Sequence, residues 1–302
     1  MLRSEIGVQR IPLRPIMTQP ILYAELEPGL RIAYTDSGGA ADRPVVVFIH
    51  GLANYLQVWQ WNILVLQNHA RCIAIDLPGN GHSSRGDFDY SIAFFSRTLH
   101  RFLAHLGIEK AWLAGHSMGG QVALQAALDD PGRVEGLFLF APAGFEYYSP
   151  HEALLFKSAI TLGNFLQTDE VHLAQSINSS FHRSSPLAQR IIDDLNKIIA
   201  ANDRLRYRAM LEKCIHSMLD QPMFEALPRI QQPAQVFFGE NDMLIPNRFL
   251  HPVSTRDIAE KATAQIPKAE LLMYPETGHF VHVERAAEVN DAVARFLGRY
   301  SG

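Results

Sequence analysis

Trp112-Leu113-Ala114-Gly115-His116-Ser117-Met118-Gly119-Gly120-Gln121-Val122-Ala123 is an apolar run, a Gly-x-Ser-x-Gly turn and an alanine-bearing helical stretch in direct succession. A serine on a sharp strand-to-helix turn is forced into a strained backbone conformation, and its hydroxyl is pushed above the sheet. Glycines two positions to either side keep Cβ atoms from colliding where strand and helix crowd together. The helix that follows has its positive end at the serine, where it stabilises negative charge. The pattern alone is weak evidence, because short glycine motifs arise by chance. Its placement between a strand and a helix carries the weight, and it marks Ser117 as the candidate nucleophile.

An activated serine needs a base, an anion to orient that base, and donors for a developing oxyanion. Thirteen histidines are available, so position must choose among them. Pro275-Glu276-Thr277-Gly278-His279-Phe280 lies between the last strand-like run and the C-terminal helical stretch, which makes His279 the candidate base and His282 its runner-up. Phe237-Phe238-Gly239-Glu240-Asn241-Asp242 ends the preceding strand-like run. Asp242 is the candidate orienting acid, with Glu240 behind it. For the oxyanion, one donor is the N–H of the residue after the nucleophile, Met118. The second is expected from Leu52, in the loop that follows Ile49-His50-Gly51. His50 is read as holding that loop rather than reacting.

The rest of the chain supplies a frame for these loops. Leu22 to Glu27 and Leu30 to Thr35 flank Pro28-Gly29, a hairpin signal. Continuous β-branched and aromatic runs follow at Val45 to Ile49, Arg71 to Ile75, Ala111 to Ala114, Val134 to Phe140, Ala234 to Phe238 and Glu270 to Met273. Such runs suit strands buried on both faces of a parallel sheet. Segments with helical spacing separate them at Val58 to Gln67, Ser91 to Leu106, Gly119 to Leu128, Thr255 to Thr263 and Ala286 to Tyr300. That alternation predicts an α/β fold with a doubly wound sheet. Between Phe145 and Leu227 no strand-like run occurs, only helical candidates. The expected organisation is therefore an N-terminal extension over 1–20, a core over 21–144 and 229–302, and a helical cap over 145–228.

With these pieces in place the chain resembles the α/β-hydrolase superfamily from about Leu22 to Phe296, interrupted by the cap. Asp76-Leu77-Pro78-Gly79-Asn80-Gly81-His82-Ser83 is similar to the family's structural loop after the fourth strand, and Gly115 to Gly120 is similar to the elbows of esterases and monoacylglycerol lipases. The resemblance implies an eight-stranded, mostly parallel sheet flanked by helices, no metal and no organic cofactor. It also implies a nucleophile, acid and base in the chain order Ser117, Asp242, His279. Haloalkane dehalogenases and epoxide hydrolases of this fold use an aspartate nucleophile, which Ser117 speaks against. Carbon–carbon hydrolases acting on aromatic meta-cleavage products usually show Asn before the serine and Trp after the histidine. This chain has His116 and Phe280 there.

The expected activity is cleavage of a small or medium apolar carboxylic ester through an acyl-enzyme, with Phe145, Tyr148, Met243 and Phe280 as substrate-binding residues. Two alternatives stay open: carbon–carbon cleavage on the same triad, and a non-catalytic ligand-binding homologue. Arg204 and Arg208, four apart, could clamp a substrate carboxylate, although such pairs more often form a solvated helix face. Apolar residues make up 47% of the 302 residues and charged residues 19%, the balance of a soluble globular chain. A net charge of −4 argues against nucleic acid as a partner. No window approaches the roughly 18 apolar residues of a membrane span. The first twenty residues lack the apolar core of a secretory signal, so a cytoplasmic location is expected. Cys72 and Cys214 are read as buried thiols, and no histidine or cysteine spacing suggests a metal site. Oligomeric state is left open.

Overall fold

The computed structural model describes residues 19–40, 42–162, 170–183, 185–200 and 203–300; the expected N-terminal extension lies almost wholly outside them. Eight strands form one sheet: β1 (Leu22–Glu27), β2 (Leu30–Asp36), β3 (Val45–Ile49), β4 (Arg71–Ile75), β5 (Ala111–His116), β6 (Val134–Phe140), β7 (Ala234–Gly239) and β8 (Ala269–Tyr274). Their spatial order is β1-β2-β4-β3-β5-β6-β7-β8. The pairs β1–β2 and β2–β4 are antiparallel, and every pairing from β4 onward is parallel. The crossovers that parallel strands require are α1 (Gln60–Leu66), α2 (Ile92–His105), α3 (Met118–Asp129) and, between β7 and β8, α8 (Thr255–Thr263). The chain closes with α9 (Val281–Glu284) and α10 (Ala286–Tyr300).

The strand interiors are continuous apolar runs because helices cover both faces. Trp112 stacks on Phe138 with ring centroids 5.2 Å apart, and both meet Phe296 of α10 edge-on. Gly115 alternates to the other face, where α3 lies so close that an added Cβ would stand 2.3 Å from the Gly119 carbonyl oxygen. Fully buried side chains such as Phe48, Phe138, Phe237 and Phe296 each contribute up to about 3 kcal/mol of transfer free energy.

β5 runs two residues further than the apolar pattern suggests. Gly115 and His116 pair in register with Leu139 and Phe140 of β6, and this cross-strand pairing carries the strand to the residue before Ser117. Between β6 and β7 lies an insertion whose described elements are all helical: α4 (Pro150–Leu162), α5 (Glu170–Ser180), α6 (Pro186–Ala200), α7 (Arg204–Asp220) and a short 3-10 turn, Phe224–Arg229. Asp203 caps α7 by accepting from the N–H groups of Leu205 and Arg206. The insertion is bonded to the core. Ser217 Oγ accepts from the Ile92 N–H at 2.8 Å, and Tyr55 donates to Asp194 Oδ2 at 2.9 Å.

Candidate active site

Ser117 is the single residue between the end of β5 and the start of α3, and its backbone sits at φ 54°, ψ −118°. A residue with a Cβ pays strain to hold that conformation. The surroundings impose it. Its N–H donates to the Phe140 carbonyl at 3.0 Å, while its own carbonyl accepts from Gly120 at 2.9 Å and Ala143 at 3.0 Å. Gly119 allows the approach of α3, since a Cβ there would lie 2.3 Å from the Ile49 carbonyl oxygen. Met118 opens the helix, so its N–H has no carbonyl one turn earlier within the helix.

The loop after β7 returns Asp242 to the interior, where it is fully buried. Its Oδ2 lies 2.7 Å from His279 Nδ1, and its Oδ1 accepts from the N–H groups of Leu244 at 2.8 Å and Ile245 at 3.1 Å. A carboxylate only accepts, so Nδ1 carries the proton and Nε2 is left as the basic nitrogen. The His279 main chain is held too: its N–H donates to the Ser180 carbonyl at 2.7 Å, and its carbonyl accepts from His116 Nε2 at 3.0 Å. Glu240, the runner-up acid, points outward and pairs with Arg256.

Three other buried histidines, His50, His116 and His282, surround the centre, and of these three only His116 borders the cavity. His50 is buried, accepts the Leu77 N–H on Nε2 at 3.0 Å and therefore donates from Nδ1 to the Gly51 carbonyl at 2.7 Å. It ties the loop carrying Leu52 to the segment after β4. His282 lies in α9, packed against Trp59 with ring centroids 4.2 Å apart and beside His116 at 4.5 Å, and it does not border the cavity. Burial pushes His50 down to about 4 and holds His116 and His282 well below the ordinary histidine range. The folded state therefore binds fewer protons than the unfolded one. The stability contributed by their neutrality is complete above pH 6.5 and is lost as pH falls, for His50 by about 2 kcal/mol at pH 5. In a proton NMR titration the ring signals of these three residues should stay fixed from pH 7.5 to 5. Movement of any of them with a midpoint near 6.5 would show that it is not held neutral.

Ser117 and His279 face one cavity of about 640 Å³, within the roughly 300–1,000 Å³ of sites for small organic ligands. Its floor is the core loop with Leu52 and Asn54, and its walls come from all four insertion helices, including Phe156, Leu173, Ile199 and Leu211. Of the expected substrate-binding residues, Tyr148 and Phe280 border it and Phe145 and Met243 do not. Phe145 is fully buried against Phe238. Met243 is 59% exposed: Asp242 gathers the Leu244 and Ile245 amides inward, and those two residues line the cavity while Met243 turns outward. Arg204 and Arg208 do not border it either, whereas Tyr207, Leu211 and Ile215 of α7 do. That i, i+4, i+8 row was visible as one helix face, but only the fold shows what it faces. Glu146 is a lining carboxylate that the sequence reading missed; it accepts from Tyr148 at 2.7 Å and from the Asn247 N–H at 2.9 Å.

Among the described residues no cluster of three or more His, Cys, Asp or Glu is placed to hold a metal ion, and no helix is long and apolar enough to cross a membrane. A family model described as alpha/beta hydrolase fold matches residues 44–286. A dihydrolipoyllysine-residue acetyltransferase component of the acetoin cleaving system from Cupriavidus necator is 30% identical over 288 residues, covering 91% of this chain and 68% of that one. A monoacylglycerol lipase of Xenopus laevis is 24% identical over 283 residues, covering 88% and 79%. Among solved structures, a probable hydrolytic enzyme from Pseudomonas aeruginosa superposes with a TM-score of 0.77 at 23% identity, covering 92% of this chain and 94% of that one. At that identity the likeness is one of fold.

Proposed function

The chain belongs to the α/β-hydrolase family, and from that premise we propose that it is a serine hydrolase that cleaves small or medium apolar carboxylic esters through an acyl-enzyme. The observation that carries this reading is the buried Asp242–His279 pair, at 2.7 Å, beside a Ser117 held in a strained turn at the same cavity. Two relatives, an acetyltransferase component and a monoacylglycerol lipase, handle acyl groups by name.

In this mechanism Ser117 Oγ attacks the ester carbonyl carbon while its proton passes to His279 Nε2. Asp242 keeps the imidazole in the right tautomer and stabilises its positive charge. The tetrahedral oxyanion takes hydrogen bonds from the N–H groups of Met118 and Leu52. Collapse expels the alcohol, which leaves with the proton from Nε2. A water that gives its proton to the same nitrogen then attacks the acyl-serine and frees the acid. Residues 145–228 act as a cap, and the apolar side chains of its helices line the acyl pocket, with Tyr148 and Phe280 beside the reacting carbonyl.

Steady-state hydrolysis of p-nitrophenyl esters from acetate to laurate tests the reading. We expect kcat/KM to rise with each methylene the pocket accepts, up to about fourfold per step for about 0.8 kcal/mol of burial, and to level off once the cavity is full. A folded protein silent across the whole series would overturn ester cleavage. Turnover of a dienoic diketone by that silent protein would assign carbon–carbon cleavage instead.

A further inference from the structure

One carboxylate side chain takes a backbone N–H from the catalytic-histidine loop and another from the insertion. Glu284, at the end of α9, accepts the Gly278 N–H on Oε1 and the His182 N–H on Oε2, both at 2.9 Å. Gly278 precedes the candidate base, and His182 lies just past α5 in the insertion. The two backbones touch directly as well. The His279 N–H donates to the Ser180 carbonyl at 2.7 Å, and a Cβ on Gly278 would stand 2.5 Å from that carbonyl oxygen and 2.6 Å from the His182 nitrogen. The rings of Phe181 and Phe280 stack alongside, 4.8 Å apart and 11° from parallel.

Resting on the assignment of His279 as the base, we propose that Glu284 is a positioning residue that locks the segment after α5 to the base loop and so sets where His279 Nε2 stands relative to Ser117. The base loop is held on three sides. His116 fixes the His279 carbonyl, Ser180 fixes its N–H, and Glu284 fixes the peptide before it. Ser180 and Glu284 both join the insertion to the base loop, Ser180 through its own carbonyl and Glu284 through a side chain whose two carboxylate oxygens each take an N–H from one of the two segments. A carboxylate can accept both N–H groups, whereas an amide of the same shape has one oxygen and turns its NH2 against the other donor. Burial pushes the Glu284 carboxyl above its ordinary value, and the two N–H groups pull it back. Losing either arm therefore weakens the ionised form that holds the other.

The lock acts on the base and not on the acyl pocket alone, so its loss shows even with a substrate too small to reach the insertion. In Glu284→Gln, kcat for p-nitrophenyl acetate per titratable active site should fall at least about tenfold, the scale of one lost hydrogen bond to a charged group, with KM changed less than kcat. The laurate ester should fall by a similar factor in kcat. Active-site titration with a fluorophosphonate counts only folded, competent enzyme, so a lowered melting temperature cannot mimic the result. Unchanged kcat for the acetyl ester, with only the long-chain KM raised, would show that Glu284 merely supports the pocket and would overturn the proposal. An activity that survives Ser117→Ala would instead overturn the assignment of the triad. A second measurement needs no variant: in the wild type, hydrogen-exchange protection of the His182 and Gly278 amides should be equal within about tenfold and rise and fall together with pH. An unprotected His182 amide beside a protected Gly278 amide would also overturn the lock.

Discussion

Ser117→Ala is expected to lower kcat for p-nitrophenyl esters by at least about four orders of magnitude, to the background set by the remaining groups. The substitution deletes one oxygen and leaves the rest of the centre in place. The Phe140, Gly120 and Ala143 backbone bonds that hold residue 117 at φ 54° involve only its main chain, so the turn survives with alanine in it. Asp242 and His279 stay paired through contacts that do not pass through the serine. A fall in rate without a fall in melting temperature therefore reports the missing nucleophile. Mass spectrometry supplies the partner readout: a fluorophosphonate should add once to the wild type and not to the variant. Turnover within tenfold of wild type would remove Ser117 from the chemistry.

Asp242→Asn should cost about as much, near 10⁴-fold in kcat, and for a reason legible in its hydrogen bonds. Oδ1 receives two buried N–H groups, from Leu244 and Ile245, and Oδ2 receives one from His279. An asparagine has one oxygen, and it satisfies more donors by facing the two amides. Its NH2 then faces His279 Nδ1, which must give up its proton and accept instead. The proton moves to Nε2, and the nitrogen that should take the serine's proton already carries one. KM should change little, because Asp242 does not border the cavity. Nitrogen NMR of the His279 ring would show the tautomer exchanged. A variant with near-wild-type kcat would mean that the orienting anion lies elsewhere, and Glu240, already paired with Arg256 at the surface, offers no replacement.

Much of this arrangement could be read before any coordinates. The eight strand-like runs are the eight strands, to within two residues at most ends, because strands buried on both faces leave uninterrupted apolar runs that loops cannot imitate. Ser117 was legible because a strained turn demands small neighbours, and that demand is written locally, within five residues. Asp242 and His279 were legible because loops at the ends of parallel strands all open on one edge, so position along the chain stands in for position in space.

Phe145 and Met243 mark where that reasoning stops. Both lie near the right edge, yet which way a loop residue points depends on which amides its neighbours satisfy, and here Asp242 draws in Leu244 and Ile245 and turns Met243 out. Glu284 is one acidic residue among 31 in the sequence, and nothing near it announces that Gly278 and His182, 96 residues apart, would both donate to it. Local constraints on backbone and burial repeat at short range and survive in the order of residues. The sequence by itself thus determined the sheet, the strained turn at Ser117 and the two loops that carry Asp242 and His279. The tertiary structure alone decided the cavity walls, the burial of His50, His116 and His282 and the two backbone hydrogen bonds that Glu284 accepts, because each of these is a contact between segments whose meeting depends on how the whole chain packs.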